Sequence, residues 1–260
     1  MQQWNGLLRR EWVSMKWLLL VSVLFAVTTM AVMPAVVIRA FDMNVLVFEV
    51  ALVICFLWAC ASMLAPAVTL LTILEREMKR PDMWLHSNAS IFKLIGSKVF
   101  FALLIGAGGL LIPTFVLALY YAFGGSSILA FNALLFHGSL FIGAIFVASI
   151  AITCMGFFFW VLYRLMEPYI KGFSIPVTIF LFFLVAGITE RIMASDVYNK
   201  LVKVGPVDLY QLKNPKLEIG NGYFEVIGTN FYTGEIVFNV LFTMAIFIGG
   251  AVLFEKKVRL

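Results

Sequence analysis

Apolar and charged residues are segregated into long blocks along this chain. Between Val99 and Tyr163, 65 consecutive residues contain no Asp, Glu, Lys or Arg, and four shorter charge-free runs flank that block: Trp17–Ile38, Val50–Leu74, Gly172–Thr189 and Ile236–Phe254. About 20 apolar residues in a helix cross the ~30 Å hydrocarbon layer of a bilayer. The long run is sufficient for two crossings, with Gly124-Gly125-Ser126-Ser127 as the turn between them. The pattern predicts an all-α, polytopic membrane protein with six transmembrane helices: two within residues 17–74, two within 99–163, one at 172–191 and one at 234–254.

Span lengths add detail. The second, Val45 to Leu74, exceeds the hydrocarbon thickness and is expected to tilt or project into the cytoplasm. The fourth, Ile128 to Tyr163, is longer still, which predicts a break near His137-Gly138 or an outer helix lying against the bundle. Small residues at Gly106-Ala107-Gly108-Gly109, Gly143-Ala144 and Gly249-Gly250 predict close helix packing. Two connections are larger than turns. One is the segment 75–98. The other is the segment 192–233, where Leu217-Glu218-Ile219 and Phe224-Glu225-Val226 alternate around Gly220-Asn221-Gly222 and predict a small β-hairpin.

Composition leaves little room for anything else. Hydrophobic residues make up 63% of the chain, and mean hydropathy is +1.01, which excludes a sizeable soluble domain. The whole chain reads as a single transmembrane domain, 1–260. Basic residues on both sides of the first run argue against a removable signal peptide. With the amino terminus in the cytoplasm, thirteen of the nineteen Lys and Arg residues fall on the inner side, against six on the outer. Both termini, including the tail 255–260, are then cytoplasmic. The net charge of +5 thus records topology and some attraction to anionic lipid; nucleic acid is not an expected partner. The three cysteines, Cys55, Cys60 and Cys154, all fall within predicted spans and offer neither a disulfide framework nor a zinc site.

Residues 1–16 predict an amphipathic helix at the membrane interface. Trp4, Leu7, Leu8, Trp12 and Met15 share one face, and Asn5, Arg9 and Lys16 the other. Glu11 falls inside the apolar stripe, which is costly unless a cation from another segment meets it.

Catalytic chemistry is sparse. HExxH, GxSxG and GxxxxGK[ST] are all absent, so the chain offers no catalytic residues, no metal ligands and no cofactor site of these kinds. Glu49, one turn into the second span, is the most membrane-buried carboxylate, and His137 lies on an apolar span; both are speculative intramembrane polar sites. The middle of every span is otherwise apolar or carries only Ser, Thr, Asn and Cys. Uphill transport would therefore draw its energy from a cytoplasmic contact rather than from ions moving through the membrane.

The inner segment 75–98 supplies a candidate for that contact. Pro81 and Asp82 suit the start of a short helix, and Met83, Trp84, Leu85 and His86 follow as an apolar tip rimmed by charge, ended by Ser87. Such a tip has the character of a binding anchor.

Six spans, an amphipathic amino-terminal helix and the stretch from Glu75 to Lys98, with Trp84-Leu85-His86-Ser87 at its core, together resemble the permease subunit of type-2 ABC exporters, in particular small bacterial ones. The resemblance implies a multi-pass protein of the bacterial cell membrane. It implies that Pro81, Asp82, Met83, Trp84, Leu85, His86 and Ser87 form a coupling helix seated on a separate ATP-binding subunit, present in two copies. It also implies that Trp4, Glu11 and Trp12 belong to a connecting helix against that subunit, that a second permease, identical or sister, completes the translocation path, and that the second and fifth spans line it. ATP and Mg2+ would belong to the partner, so this chain would not itself be an enzyme. A secondary carrier or channel, an intramembrane enzyme and a regulatory subunit remain the alternatives.

Overall fold

The computed structural model describes residues 2–42, 46–79, 91–123, 131–208, 216–219, 222–225 and 230–258. The described chain is built of helices, in the order α1 (Gln2–Phe41), α2 (Val47–Ser62), α3 (Ala65–Met78), α4 (Ile91–Phe123), α5 (Phe131–Ile170), a 3-10 turn (Lys171–Phe173), α6 (Ser174–Met193), α7 (Asp196–Val202) and α8 (Thr233–Val258). Four short strands lie between α7 and α8: β1 (Pro206–Asp208), β2 (Lys216–Ile219), β3 (Gly222–Glu225) and β4 (Asn230–Tyr232), paired as β1 with β4 and β2 with β3.

Among the described residues, five helical stretches are long and apolar enough to cross a membrane. The fourth is 60 residues long and contains both α5 and α6, which brings the candidate spans to six when they are counted apart. Their outward surfaces are apolar: Trp17, Phe25, Phe115 and Phe180 are each 65–70% exposed. Helices suit hydrocarbon because each satisfies its own backbone hydrogen bonds. The architecture is compatible with a multi-pass membrane protein.

Several expectations need correction. Residues 2–16 do not form a separate helix: α1 is continuous to Phe41, so these residues continue into the first span without an intervening turn. Their inward face is Leu8, Glu11 and Met15, whereas Trp12 is 56% exposed. The second span is two helices, α2 and α3, with Met63 and Leu64 bonding back three residues, to Cys60 and Ala61, instead of four. Pro66 near the start of α3 has no N–H to continue the α2 ladder. Conversely, α5 runs unbroken through His137-Gly138. The fifth span begins at Ser174, after the 3-10 turn, rather than at Gly172.

The chain divides into two compact units. The first holds α1–α4 and α5 as far as Thr153. Its buried clusters include Ala26, Met30, Cys55 and Val116, then Ala59, Leu110 and Ile145, then Met15, Ile73 and Phe101, and one around Phe48. The second holds α5 from Cys154, with α6, α7, β1, β4 and α8. Aromatic side chains dominate it: Phe157 meets Phe247, Trp160 meets Phe254 and Phe159 meets Phe182, with ring centroids 5.2–5.8 Å apart. Gly250 faces the Phe157 ring, where a Cβ would come within 3.0 Å. Outside the spans, β1 and β4 pair antiparallel from Pro206↔Tyr232 to Asp208↔Asn230. Gly205 has a φ of +70°, and the Thr233 hydroxyl donates to the Val204 carbonyl at 3.0 Å. All three cysteines are unpaired thiols.

Candidate functional site

Three helix ends of the first unit converge on one buried lysine. Lys98 is in the second turn of α4, Glu77 in the last turn of α3 and Glu11 in the third turn of α1. Lys98 Nζ donates to Glu11 Oε1 at 2.7 Å and to Glu77 Oε1 at 2.7 Å. Arg10 Nη2 donates to the same Glu77 oxygen at 2.9 Å. Lys98 is 2% exposed, Glu11 4% and Glu77 8%, whereas the Arg10 side chain is 48% exposed.

Local periodicity brings these groups inward. Glu11 continues the face of Leu8 and Met15, and Glu77 that of Leu70, Ile73 and Leu74. Lys98 follows Ile95 and precedes Phe101 and Ala102, all buried on α4. The apolar layer of Met15, Ile73 and Phe101 lies along the same helix faces. At the surface, Arg76 Nη1 reaches the Ser14 carbonyl at 3.4 Å.

A charge removed from water costs several kcal/mol unless partners replace its hydration. Here the four groups alternate in sign along a chain, Arg10–Glu77–Lys98–Glu11, and sum to zero. The links join α1 to α3, α3 to α4 and α4 back to α1, so the charges close a ring through all three helices.

The cluster also flanks the predicted coupling segment. Pro81, Asp82, Met83, Trp84, Leu85, His86 and Ser87 lie outside the described residues, but α3 ends just before them and α4 begins just after. Of the connecting-helix residues, Glu11 is the end member of the cluster, paired with Lys98, Trp12 faces outward, and the Trp4 side chain is outside the described set. Glu49 is half-buried in the first turn of α2, where a carboxylate suits the helix dipole. His137 is half-buried on α5, edge-on to Phe136 with centroids 5.4 Å apart. Among the described residues no hydrogen bond or ion pair joins Glu49 to His137, and no three His, Cys, Asp or Glu side chains form a group that could hold a metal.

Sequence reasoning anticipated that Glu11 needs a cation but did not single out Lys98 or Glu77. One signal was present: Lys98 is the last charge before the 65-residue apolar run, a position from which a long side chain turns toward polar company.

At the other end of α3, Pro66 packs against Gly106 of α4, close enough that a Cβ there would overlap its ring. Ser62 Oγ donates to the Trp58 carbonyl at 2.9 Å and lies 3.4 Å from the Gly109 carbonyl across the helix contact. Gly106 and Gly109 thus form the expected close seam, while Gly108 and Gly143 meet nothing within 4 Å. The 14-residue α3 is therefore held at both ends, by a proline seated on a glycine and by a carboxylate held by two cations.

No protein-family model, curated protein or solved structure matches this chain.

Proposed function

We propose that the chain is the permease subunit of an ATP-driven exporter of the type-2 ABC class, working with a separate ATP-binding subunit in two copies and a second permease. The observation that supports this most is the Glu11–Lys98–Glu77 cluster. It ties the amino-terminal segment of α1 to both helix ends bordering the Trp84-Leu85 segment. A force applied to that segment would reach α1, α3 and α4 together. The span interiors supply few ionisable groups for ion-coupled transport, which favours an external energy source.

In this reading the permease does no covalent chemistry. Closure of the nucleotide-loaded partners would bias it between an inward- and an outward-facing arrangement, a population shift carried by α3 and α4. The path would be lined by α2–α3 and α6, and the protein would reside in the bacterial cell membrane.

The test is co-purification with an ATP-binding-cassette subunit, together with ATP-driven efflux in reconstituted vesicles. Replacing Trp84 and Leu85 by Glu is expected to abolish both while leaving helical content unchanged. Efflux that persists without ATP, or normal ATP-driven transport by the variant, would overturn the proposal.

A further inference from the structure

The order of charges in the cluster determines which of the two contacts of Lys98 opens at less cost. Breaking the Glu11–Lys98 link strands a carboxylate that is 4% exposed, among the most costly events in a protein interior. Breaking the central Glu77–Lys98 link strands nothing: Glu77 keeps Arg10 at 2.9 Å and Lys98 keeps Glu11 at 2.7 Å. Both remaining pairs are anchored on α1. Arg10, with its side chain 48% exposed, has room to follow Glu77 outward. At the far end of α3, the 3-10 step at Met63-Leu64 and the Pro66–Gly106 seat supply a pivot, and a 3-10 step within a helix often marks a hinge.

We propose that the Glu77–Lys98 contact is a latch between α3 and α4. It opens by handing Glu77 entirely to Arg10, so that α3 swings about Pro66 while α1 stays paired with both helices. Arg10 is then the residue that makes opening possible, although it contributes little to holding the closed form. The latch follows from the ring of charges alone; its use in coupling to an ATP-binding subunit rests on the exporter reading.

The test is made on the isolated full-length chain in lipid nanodiscs, so its outcome is independent of any partner. Spin labels at K79C and F92C, with the native cysteines replaced by alanine, report the α3–α4 separation by pulsed electron resonance. Hydrostatic pressure brings the minor arrangement into the measurable range. Two separations are expected for the parent. Glu77→Gln is expected to raise the longer one, and Arg10→Ala to lower it, each by about tenfold in population ratio; Lys98→Arg, which keeps the charge, is expected to resemble the parent. A purely structural cluster would loosen in both of the first two variants. A single separation in the parent at all pressures, or shifts of Glu77→Gln and Arg10→Ala in any pattern other than these opposed directions, would overturn the latch.

Discussion

The ring of Pro66 fills the space that a side chain at position 106 would need. The contact joins the start of α3 to α4 at the level where the second span changes from one helix to the next. Gly106→Ala forces the two apart, and overpacking of this kind costs about 1–3 kcal/mol. Gly108→Ala, on the same helix but with nothing within 4 Å of the added Cβ, is expected to be neutral or slightly stabilising, since Ala is the better helix former. Thermal unfolding of both variants in detergent provides the check: equal melting temperatures would show that α3 is not seated on Gly106.

A second contact ties α4 to α1 beside the proline of α1. Pro34 has no N–H, which leaves the Met30 carbonyl without its helical donor. The Tyr120 hydroxyl lies 2.7 Å from the neighbouring Ala31 carbonyl and 3.5 Å from that of Met30. Tyr120→Phe is expected to lose about 1 kcal/mol. Because the short bond is to Ala31, whose own helical donor is not removed by Pro34, the loss should be the same in a Pro34→Ala background. A double-mutant cycle measures this; a loss that shrinks with Pro34→Ala would show that the hydroxyl serves Met30 instead.

Lys98→Met leaves Glu11 and Glu77 buried with Arg10 as their sole partner in the cluster, and a loss of about 3–5 kcal/mol is expected. Removing Glu11 at the same time, as Glu11→Leu with Lys98→Met, leaves the neutral Arg10–Glu77 pair. The double variant should therefore be more stable than Lys98→Met alone. Denaturant or thermal unfolding decides the matter: additive losses would mean that the two groups do not share one interaction. Arg10→Ala, removing a half-exposed partner, is expected to cost no more than about 1 kcal/mol.

Orientation is checked by thiol labelling from each side of intact membranes. A cysteine at Lys79 is expected to react only with a reagent admitted to the cytoplasm, and one at Lys200 only with an external reagent. The opposite pattern would invert the topology inferred from the distribution of Lys and Arg.

Much of the helical arrangement was legible in the sequence, because charge-free runs of this length have few other uses. Punctuation within the runs was less so. His137-Gly138 is where the length of the fourth span allows a break, the alternative being an outer helix against the bundle, yet α5 passes through it, since a single helical Gly is tolerated when its backbone bonds stay intact. The break that does occur, at Met63-Leu64, is signalled by Pro66, whereas the excess length of the span by itself points to tilt or projection into the cytoplasm. Among the small residues, Gly106 and Gly109 pack closely and Gly143 does not, a distinction that depends on which face meets a neighbour. Glu11 revealed its need for a cation through its place in the apolar stripe. Its partner, 87 residues away, could not be named before the folding of α1 against α4 brought them together.

In the proposed exporter, the Trp84-Leu85 segment, between α3 and α4 in the chain, docks on a motor formed by another polypeptide. A photo-cross-linking residue at position 84, activated in native membranes and followed by identification of the adduct, tests this most directly. A covalent adduct with a P-loop ATP-binding subunit is expected, lost when Leu85 is replaced by Glu. Adducts with lipid alone, or labelling of position 84 from outside the cell, would contradict it.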